Sequence, residues 1–178
     1  AMRHVALARR ELGKRTIFNL LGPLSNPAGV TRQLIGVFSA DFVVPVAEAL
    51  RELGCQRALV VHGAGGLDEV SAAGKDANTV ATLASGAISL QTATQHADIH
   101  PDLRGGGADE NAAEMRALLA GAGRPGHRAA VLINAAAALF AAGKGADVKE
   151  TYELATQSLQ SGAARHAWQE RHYSSARA

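Results

Sequence analysis

Three features are scarce in this sequence of 178 residues: cysteine, aromatic side chains and long apolar runs. The single cysteine, Cys55, excludes an internal disulfide framework and any metal cluster built from several thiolates. Aromatic residues make up 4% of the chain, so few rings are present on which the bases of a single-stranded nucleic acid could stack. No uninterrupted apolar stretch reaches the length that crosses a bilayer, and we expect no association with a membrane.

The rest of the composition is that of an ordinary globular protein. Hydrophobic residues make up 47% and charged residues 19%, and the formal net charge is +2. A chain of this length can bury a substantial core, and we expect residues 1–178 to form a single α/β domain in the cytoplasm. The first fifteen residues are rich in arginine but show no cleavage-like feature of a targeting segment. We expect the chain to begin inside a helix, as a fragment of a longer protein.

Alternating helical and strand patterns predict the α/β class. The pattern over residues 33–61 predicts a β-α-β unit with short loops, whose strands should run parallel. Two apolar runs around Ser85-Gly86 predict a hairpin. We therefore expect a partial, mostly parallel sheet flanked by helices on both sides. The predicted strands are Gln33–Phe38, Ala58–Val61, Thr79–Leu83 and Ala87–Leu90, and the predicted helices are Met2–Leu12, Phe42–Leu53, Glu110–Leu119, His127–Ala142, Val148–Ser161 and Ala163–Arg171.

The most informative segment is the glycine-rich loop after the second predicted strand. His62 and three glycines follow the apolar run Ala58–Val61, and the loop ends in the adjacent acids Asp68 and Glu69. Acids at the carboxyl end of a parallel strand lie where α/β sheets bind ligands. Mg²⁺ usually takes only one or two carboxylates and leaves positions for water and phosphate. The segment therefore predicts a metal–phosphate site, although the two acids could instead simply precede a helix from Ser71 and favour its dipole.

The histidines allow a functional and a structural interpretation. His62 could hydrogen-bond a phosphate or cap the end of its strand. His96 and His100 have the i, i+4 spacing of a helical metal pair, but Pro101 and the polar residues around them favour a solvated loop. Three others have charged or polar neighbours and are expected at the surface; they are His127, His166 and His172. His4 lies in the first predicted helix and could face a ligand or the missing part of the protein.

Two further polar segments stay open in the same way. The glycine run at 105–107 could bind an anion at a helix N-terminus, or it could give the turn its flexibility and bring Glu110 and Asn111 near the sheet. The pair Arg9-Arg10 could bind a planar carboxylate through two hydrogen bonds, or it could lie on a solvated helix face. No nucleophile–histidine–acid motif and no phosphate-loop motif follows a predicted strand.

A set of segments occurs in order along nearly the whole chain. The most specific is Arg15–Pro27, which reads Arg-Thr-Ile-Phe-Asn-Leu-Leu-Gly-Pro-Leu-Ser-Asn-Pro. The others are Arg9–Gly13, Val61–Gly63, Gly66–Glu69, Leu103–Gly106, Glu110–Ala113, Leu132–Leu139 and Ser161–Ala164. Together they resemble anthranilate phosphoribosyltransferase, and specifically the second half of that family's chain.

The resemblance implies the large-domain fold shared by anthranilate phosphoribosyltransferases and nucleoside phosphorylases. It also implies an enzyme of tryptophan biosynthesis that joins anthranilate to phosphoribosyl pyrophosphate, releases pyrophosphate and requires Mg²⁺. By position, Arg9 resembles the arginine that holds the anthranilate carboxylate, and Gly22 and Pro23 resemble residues that line the anthranilate pocket. Asp68 and Glu69 resemble the family's metal-binding acids. The amine nucleophile is already neutral at pH 7, so no catalytic acid or base is assigned, and positioning and charge neutralisation supply most of the rate.

Two family motifs that hold the phosphoribosyl group, Gly-Thr-Gly-Gly-Asp and Lys-His-Gly-Asn, do not occur in this sequence. In the family both belong to the first half of the chain, together with the helical domain that carries the homodimer contact and the first part of the sheet. We therefore expect negligible turnover from the 178 residues alone. An unpaired sheet edge could also make them self-associate.

Two other functions stay open at this stage. A pyrimidine nucleoside phosphorylase-like enzyme would share the fold group, but the run from Arg9 to Pro27 argues against it. A non-catalytic, nucleic-acid-binding relative of the same fold is permitted by the basic beginning of the chain. The adjacent acids Asp68 and Glu69 argue against that relative, because they would repel a phosphate backbone.

Overall fold

The computed structural model describes residue 11, residues 17–94 and residues 100–175. These residues contain α1 (Phe18–Leu24), β1 (Arg32–Gly36), α2 (Val43–Glu52), β2 (Arg57–His62), β3 (Thr79–Ala84), β4 (Ala87–Gln91), α3 (Ala108–Leu119), α4 (Pro125–Ala141), α5 (Val148–Gln160) and α6 (Ala163–Ser175). The predicted helix Met2–Leu12 lies outside the described residues except for Glu11. Each of the other predicted elements is found within a few residues of its expected bounds. Within the described part of the chain, no helix is long and apolar enough to cross a membrane.

The four strands form one sheet in the order β1-β2-β3-β4. β1 and β2 are parallel, with Arg32 opposite Arg57 and Gly36 opposite Val61. β3 is antiparallel to both β2 and β4. The α/β class is confirmed, but the expectation of a mostly parallel sheet is corrected to a mixed sheet for the described strands. The reason lies in the connections: α2 carries the chain across between β1 and β2, whereas no α-helix joins β2 to β3, and a two-residue turn joins β3 to β4.

The turn between β3 and β4 has left-handed backbone at both central residues. Ser85 has φ 51° and Gly86 has φ 81°. This is the pattern of a type I′ turn, whose twist matches that of the two strands it joins. The predicted hairpin at Ser85-Gly86 is confirmed.

The two faces of β2 pack against different helices. Ala58 and Val60 belong to a buried cluster with residues of α2, among them Leu50, which is 1% exposed. Leu59 and Val61 face the other way and pack against Ala137 and Ala141 of α4. Side chains alternate along a strand, so a continuous apolar strand requires cover on both faces, and the expected helices on both sides of the sheet are confirmed.

Helix α4 lies between the sheet and two other helices. A third buried cluster joins α3, α4 and α5 through Leu118, Leu132, Ala155 and Leu159. The helix is also fixed at its C-terminal end, where Arg57 Nη1 donates to the carbonyl oxygen of Phe140 at 3.2 Å. A guanidinium at this end is favoured by the helix dipole. Helix α4 is therefore a rigid support beside the loop that follows β2.

Candidate functional site

The glycine-rich loop reverses direction immediately after β2. The N–H of Gly63 donates to the carbonyl oxygen of Leu67 at 2.8 Å, which closes the turn. Gly65 and Gly66 inside it have φ of 71° and 83°, a conformation that residues with a Cβ rarely adopt. The turn delivers Asp68 and Glu69 to the end of the sheet. No helix follows at Ser71, so the alternative in which the acids merely introduce a helix is not realised.

Two glycines allow the loop that carries the acids to lie directly on the sheet. This loop, the acidic loop, comprises residues 63–78 between β2 and β3. A Cβ on Gly36, the last residue of β1, would overlap the carbonyl group of Asp68 and lie 3.1 Å from its Cα. A Cβ on Gly63 would overlap the carbonyl oxygen of Glu69 and lie 2.9 Å from the backbone nitrogen of Ser71. Glycine at both positions is therefore a packing requirement of the loop that carries the acids.

The two acids have different surroundings. The side chain of Asp68 is exposed, whereas Glu69 is half-buried and lines a cleft of about 840 Å³. The loop, the turn 100–104, α3 and α4 form this cleft, which Asp68 does not line. Among the described residues no ion pair involves either carboxylate, and no group of three acids, histidines or cysteines could hold a metal together. Two free carboxylates are a donor set that fits Mg²⁺ completed by water and phosphate oxygens; their role as metal ligands stays a prediction.

His62 connects the ends of the two parallel strands. Its Nδ1 lies 2.9 Å from the carbonyl oxygen of Val37. A carbonyl oxygen only accepts, so Nδ1 carries the proton in this bond. Of the two interpretations of His62, this contact favours the cap at the strand end.

Gly22 and Pro23 line a second cleft, of about 580 Å³. Residues Ser25–Pro27 and the strand β1 complete it, including Gly36. Gly36 therefore forms part of this cleft while its backbone lies against the backbone of Asp68. Gly22 and Pro23 thus share a cleft with Gly36, the residue that contacts Asp68, whereas Glu69 lines the other cleft. Arg9 lies outside the described residues, and its position across from the acids stays a prediction.

The glycine run before α3 binds the side chains of its own helix. Glu110 accepts from the N–H of Gly107 at 2.9 Å. Asn111 accepts from the N–H of Gly106 and donates to its carbonyl oxygen, both at 3.0 Å. Because these side chains already occupy the N–H groups of the turn, the structure favours the turn interpretation over an anion site.

His100 caps a short turn instead of forming a helical metal pair. Its Nδ1 accepts from the N–H of Asp102 at 3.2 Å. Asp102 in turn accepts from the N–H of Gly126 at 3.0 Å and so caps the beginning of α4. His96 lies outside the described residues.

A charged cluster lies on the wall of the larger cleft. Glu114 accepts from the N–H of Arg124 at 2.8 Å, and its carboxylate lies 3.4 Å from the Arg124 guanidinium and 3.3 Å from Nδ1 of His127. The backbone hydrogen bond from Arg124 is the main cause that lowers the pKa of Glu114 below its ordinary value of 4.5, and the guanidinium adds to it. The expectation that His127 is a surface residue is wrong, because its side chain is only 19% exposed and lines the cleft.

Sequence reasoning missed two asparagines that hold the acidic loop. Asn134 of α4 bonds to both the N–H and the carbonyl oxygen of Val70, each at 2.9 Å. Asn78 bonds to both backbone groups of Ser71, at 2.7 and 3.0 Å. The sequence contains one signal for Asn134: it is the only polar residue within the apolar run Val131–Ala142, and an amide on an apolar helix face that packs into the protein requires hydrogen-bond partners.

The fold and this arrangement belong to a known class. The family model for the glycosyl transferase family, a/b domain, matches residues 1–165. The chain belongs to this family.

Individual relatives are more specific. A protein named anthranilate phosphoribosyltransferase from Xanthobacter autotrophicus is 51% identical over 171 residues, which are 93% of this chain and 48% of that protein. One from Rubrobacter xylanophilus is 48% identical over 92% of this chain and 49% of that protein. The crystal structure of anthranilate phosphoribosyltransferase from Thermus thermophilus superposes with a TM-score of 0.83 at 44% identity, covering 99% of this chain and 53% of the other.

A yeast structure adds information on ligands. The Saccharomyces cerevisiae anthranilate phosphoribosyltransferase, solved in complex with PRPP and Mg, matches with a TM-score of 0.75 at 28% identity over 93% of this chain and 48% of the other. This chain spans about half the length of the relatives it matches, and it corresponds to their C-terminal half. The resemblance read from the motifs is confirmed.

Proposed function

We propose that this chain is the part of an anthranilate phosphoribosyltransferase that holds Mg²⁺ and anthranilate. In the proposed reaction the amine of anthranilate forms a C–N bond to the phosphoribosyl group, the C–O bond to pyrophosphate breaks, and the amine loses a proton. The observation that carries the proposal is the acidic loop itself. Two carboxylates that form no ion pair with any described residue stand at the end of β2. They lie on a loop that α4 and the sheet hold in place, in a chain that is 51% identical over 171 residues to an enzyme of that name.

Asp68 and Glu69 are proposed to hold the metal. Mg²⁺, when bound, supplies Lewis-acid stabilisation of the negative charge that develops on pyrophosphate. The loop keeps the carboxylates in position without using either of them in an ion pair among the described residues. Both carboxylates are therefore free to bind a cation, and fixed charges of this kind cost little reorganisation during the reaction.

Gly22, Pro23 and Arg9 are proposed to bind anthranilate. Gly22 contributes no side chain to its cleft, and among the described residues, apart from its chain neighbours and the backbone of its own helix, no heavy atom lies within 4 Å of the position of a Cβ there. Such open space suits a flat aromatic ring. The guanidinium of Arg9 would bind the carboxylate through two parallel hydrogen bonds, which orients the amine towards the acidic loop.

Turnover in a fusion protein tests the proposal. The N-terminal half of the Xanthobacter relative, which this chain does not match, is joined in front of residues 1–178, and product formation is measured with anthranilate, phosphoribosyl pyrophosphate and Mg²⁺. We expect turnover from the fusion and negligible turnover from the 178 residues alone. Asp68→Asn should lower kcat/KM by about 100-fold or more, whereas Asp76→Asn, a control on the same loop, should leave it within about twofold. A fusion that folds but shows no Mg²⁺-dependent turnover would contradict the proposal.

A pair of neighbouring arginines provides a second test in the same fusion. Arg9→Gln should raise the KM for anthranilate by about 10–100-fold, because the bidentate contact with the carboxylate is lost. Arg10→Gln is the matched control and should leave that KM unchanged. Equal effects of the two variants would contradict the role of Arg9. Phosphorolysis of a pyrimidine nucleoside, or salt-dependent retention on DNA without any effect of Mg²⁺, would instead support one of the two other functions.

Three further proposals concern the unfolding of this chain, the homodimer contact and the cellular location. We propose that residues 1–178 unfold as one cooperative unit, and that the homodimer contact of the whole protein lies in the half that this chain does not match. A single unfolding transition and a monomer in sedimentation would support these two proposals, and a stable dimer of the chain would contradict the second. We also propose a cytoplasmic location, since both substrates are charged biosynthetic metabolites, and fractionation of the source cells tests it.

A further inference from the structure

The side chain of Asn134 makes three hydrogen bonds, and two of them bind the acidic loop. Its Oδ1 accepts from the N–H of Val70 at 2.9 Å, and its Nδ2 donates to the carbonyl oxygens of Val70 at 2.9 Å and Ala130 at 3.0 Å. The two partners Asn134 and Val70 are 64 residues apart in sequence. One amide therefore fixes both sides of a residue on the loop against a helix that is itself packed on the sheet.

This contact lies immediately beside the proposed metal ligands. Val70 follows Glu69 directly, and Leu67, two residues before Glu69, is bound to Gly63 at 2.8 Å. Glu69 is thus anchored on both sides by backbone hydrogen bonds. Asn134 also lines the same cleft as Glu69, so a change in the rotamer of Asn134 would move the segment that carries the carboxylate.

We propose that Asn134 is a positioning residue for the divalent cation: it fixes the backbone at Val70 and thereby holds the Glu69 carboxylate where a metal can use it. This inference rests on the proposed function of Asp68 and Glu69. Groups that orient metal ligands commonly contribute about 10–100-fold to metal affinity. In this proposal Asn134 acts on the metal only through the backbone at Val70.

Only an amide fits all three contacts of Asn134. An aspartate could still accept from the N–H of Val70, but it could not donate to the carbonyl oxygens of Val70 and Ala130 and would place a negative charge against both. An alanine would remove this partner from both the N–H and the carbonyl oxygen of Val70, whereas the carbonyl oxygen of Ala130 keeps its backbone bond within α4. We therefore expect Asn134→Asp to disturb the loop at least as much as Asn134→Ala, which an effect of lost volume alone would not produce.

The test measures loop protection and metal affinity on the 178-residue chain. Hydrogen exchange of the peptide covering residues 67–73 is followed by mass spectrometry, and the Kd for Mn²⁺ is determined by titration with electron paramagnetic resonance. We expect Asn134→Ala to raise exchange in that peptide by about tenfold or more and to weaken Mn²⁺ binding by about 10–100-fold. Exchange in β2 should stay slow, which shows that the variant is folded.

Leu132→Ala is the matched control for general destabilisation. Leu132 lies on the same helix, is 5% exposed, and faces the cluster shared with α3 and α5. Its truncation should lower stability while the Kd for Mn²⁺ stays within about twofold of the unmodified chain. An unchanged Kd or unchanged loop exchange in Asn134→Ala, or an equal loss of affinity in Leu132→Ala, would overturn the inference.

The double variant Asp68→Asn/Glu69→Gln separates this inference from the proposed function. Loss of Mn²⁺ binding in the double variant but not in Asn134→Ala would overturn the inference alone. Mn²⁺ binding that no variant alters would contradict the metal site, and with it the role of Asn134. Weaker Mn²⁺ binding in Asn134→Ala and in the double variant, with the Mn²⁺ affinity of Leu132→Ala unchanged, supports both the inference and the metal site.

Discussion

Gly36→Ala is the substitution that most sharply tests how the acidic loop is held. Gly36 ends β1, and its backbone lies against the backbone of Asp68. A methyl group there would overlap the Asp68 carbonyl and lie 3.1 Å from its Cα. To restore ordinary contact distances the carbonyl must recede by about 2 Å. Neither the strand nor the loop can yield easily, since β1 is paired with β2 and the loop is bonded to Asn134.

The expected magnitude follows from two opposing terms. Overpacking a rigid site costs about 1–3 kcal/mol, while the loss of glycine's freedom in the unfolded chain returns about 0.4–1 kcal/mol. We expect the clash to dominate and the free energy of unfolding to fall by about 1–2 kcal/mol. Gly22→Ala is the control, because an added Cβ there meets no heavy atom within 4 Å among the described residues beyond its chain neighbours and its own helix backbone, and the residue lies in α1. That variant should be neutral or more stable by up to about 1 kcal/mol.

Urea denaturation of both variants measures the difference, and the Mn²⁺ titration supplies a second readout. Because Asp68 must move with its carbonyl group, Gly36→Ala should also weaken Mn²⁺ binding. If Gly36→Ala is as stable as the unmodified chain and binds Mn²⁺ equally well, the close approach of loop and strand is not a constraint, and the reasoning is refuted.

Three further predictions concern residues other than Asp68 and Glu69. Ser85→Asn should raise the free energy of unfolding by about 0.5 kcal/mol, since asparagine tolerates the left-handed conformation of this turn better; a loss of stability in urea would contradict the turn type. Glu114 has a lowered pKa, so its contribution to stability is complete above pH 4.5 and is lost as the pH falls through that lowered pKa. In Glu114→Gln this part of the acid dependence should disappear, and identical pH profiles would refute it. Arg57→Met should cost about 1 kcal/mol through the lost bond to Phe140, while the exposed control Arg51→Met should cost less than about 0.5 kcal/mol in the same urea assay.

The strands, helices and turn that depend on residues close together in sequence were predictable. β2 is a continuous apolar run because both of its faces are covered, and Ser85-Gly86 is flanked by apolar runs on both sides. The order of strand, helix and strand over 33–61 gives the parallel pair β1 and β2 directly. These patterns depend on neighbours in sequence, and a periodicity can therefore reveal them.

The mixed strand order of the sheet was harder to predict, although its cause is present in the sequence. Residues 63–78 contain several glycines and no helical period, so they cannot form the helical crossing that a parallel β3 would need. The parallel pair β1 and β2 before this loop is one of three strand pairings in the described sheet, and the other two are antiparallel. A hairpin directly after a loop without a helix indicates antiparallel pairing.

The candidate site was predictable as a pair of acids but not as a supported loop. Asp68 and Glu69 stand out because they are adjacent and follow glycines. Asn134 supports them from 64 residues beyond Val70, and no periodicity encodes a contact of that kind. The contact of Gly36 with Asp68 could not be predicted from the sequence either, since glycine occurs at the end of a strand for many different reasons.

The metal site is tested most directly by an anomalous difference map. A crystal of the 178-residue chain grown with Mn²⁺ and phosphoribosyl pyrophosphate should show one strong manganese peak at the loop after β2, with carboxylate oxygens of Asp68 and Glu69 as ligands. A manganese peak elsewhere, with both carboxylates unliganded at full Mn²⁺ occupancy, would contradict it.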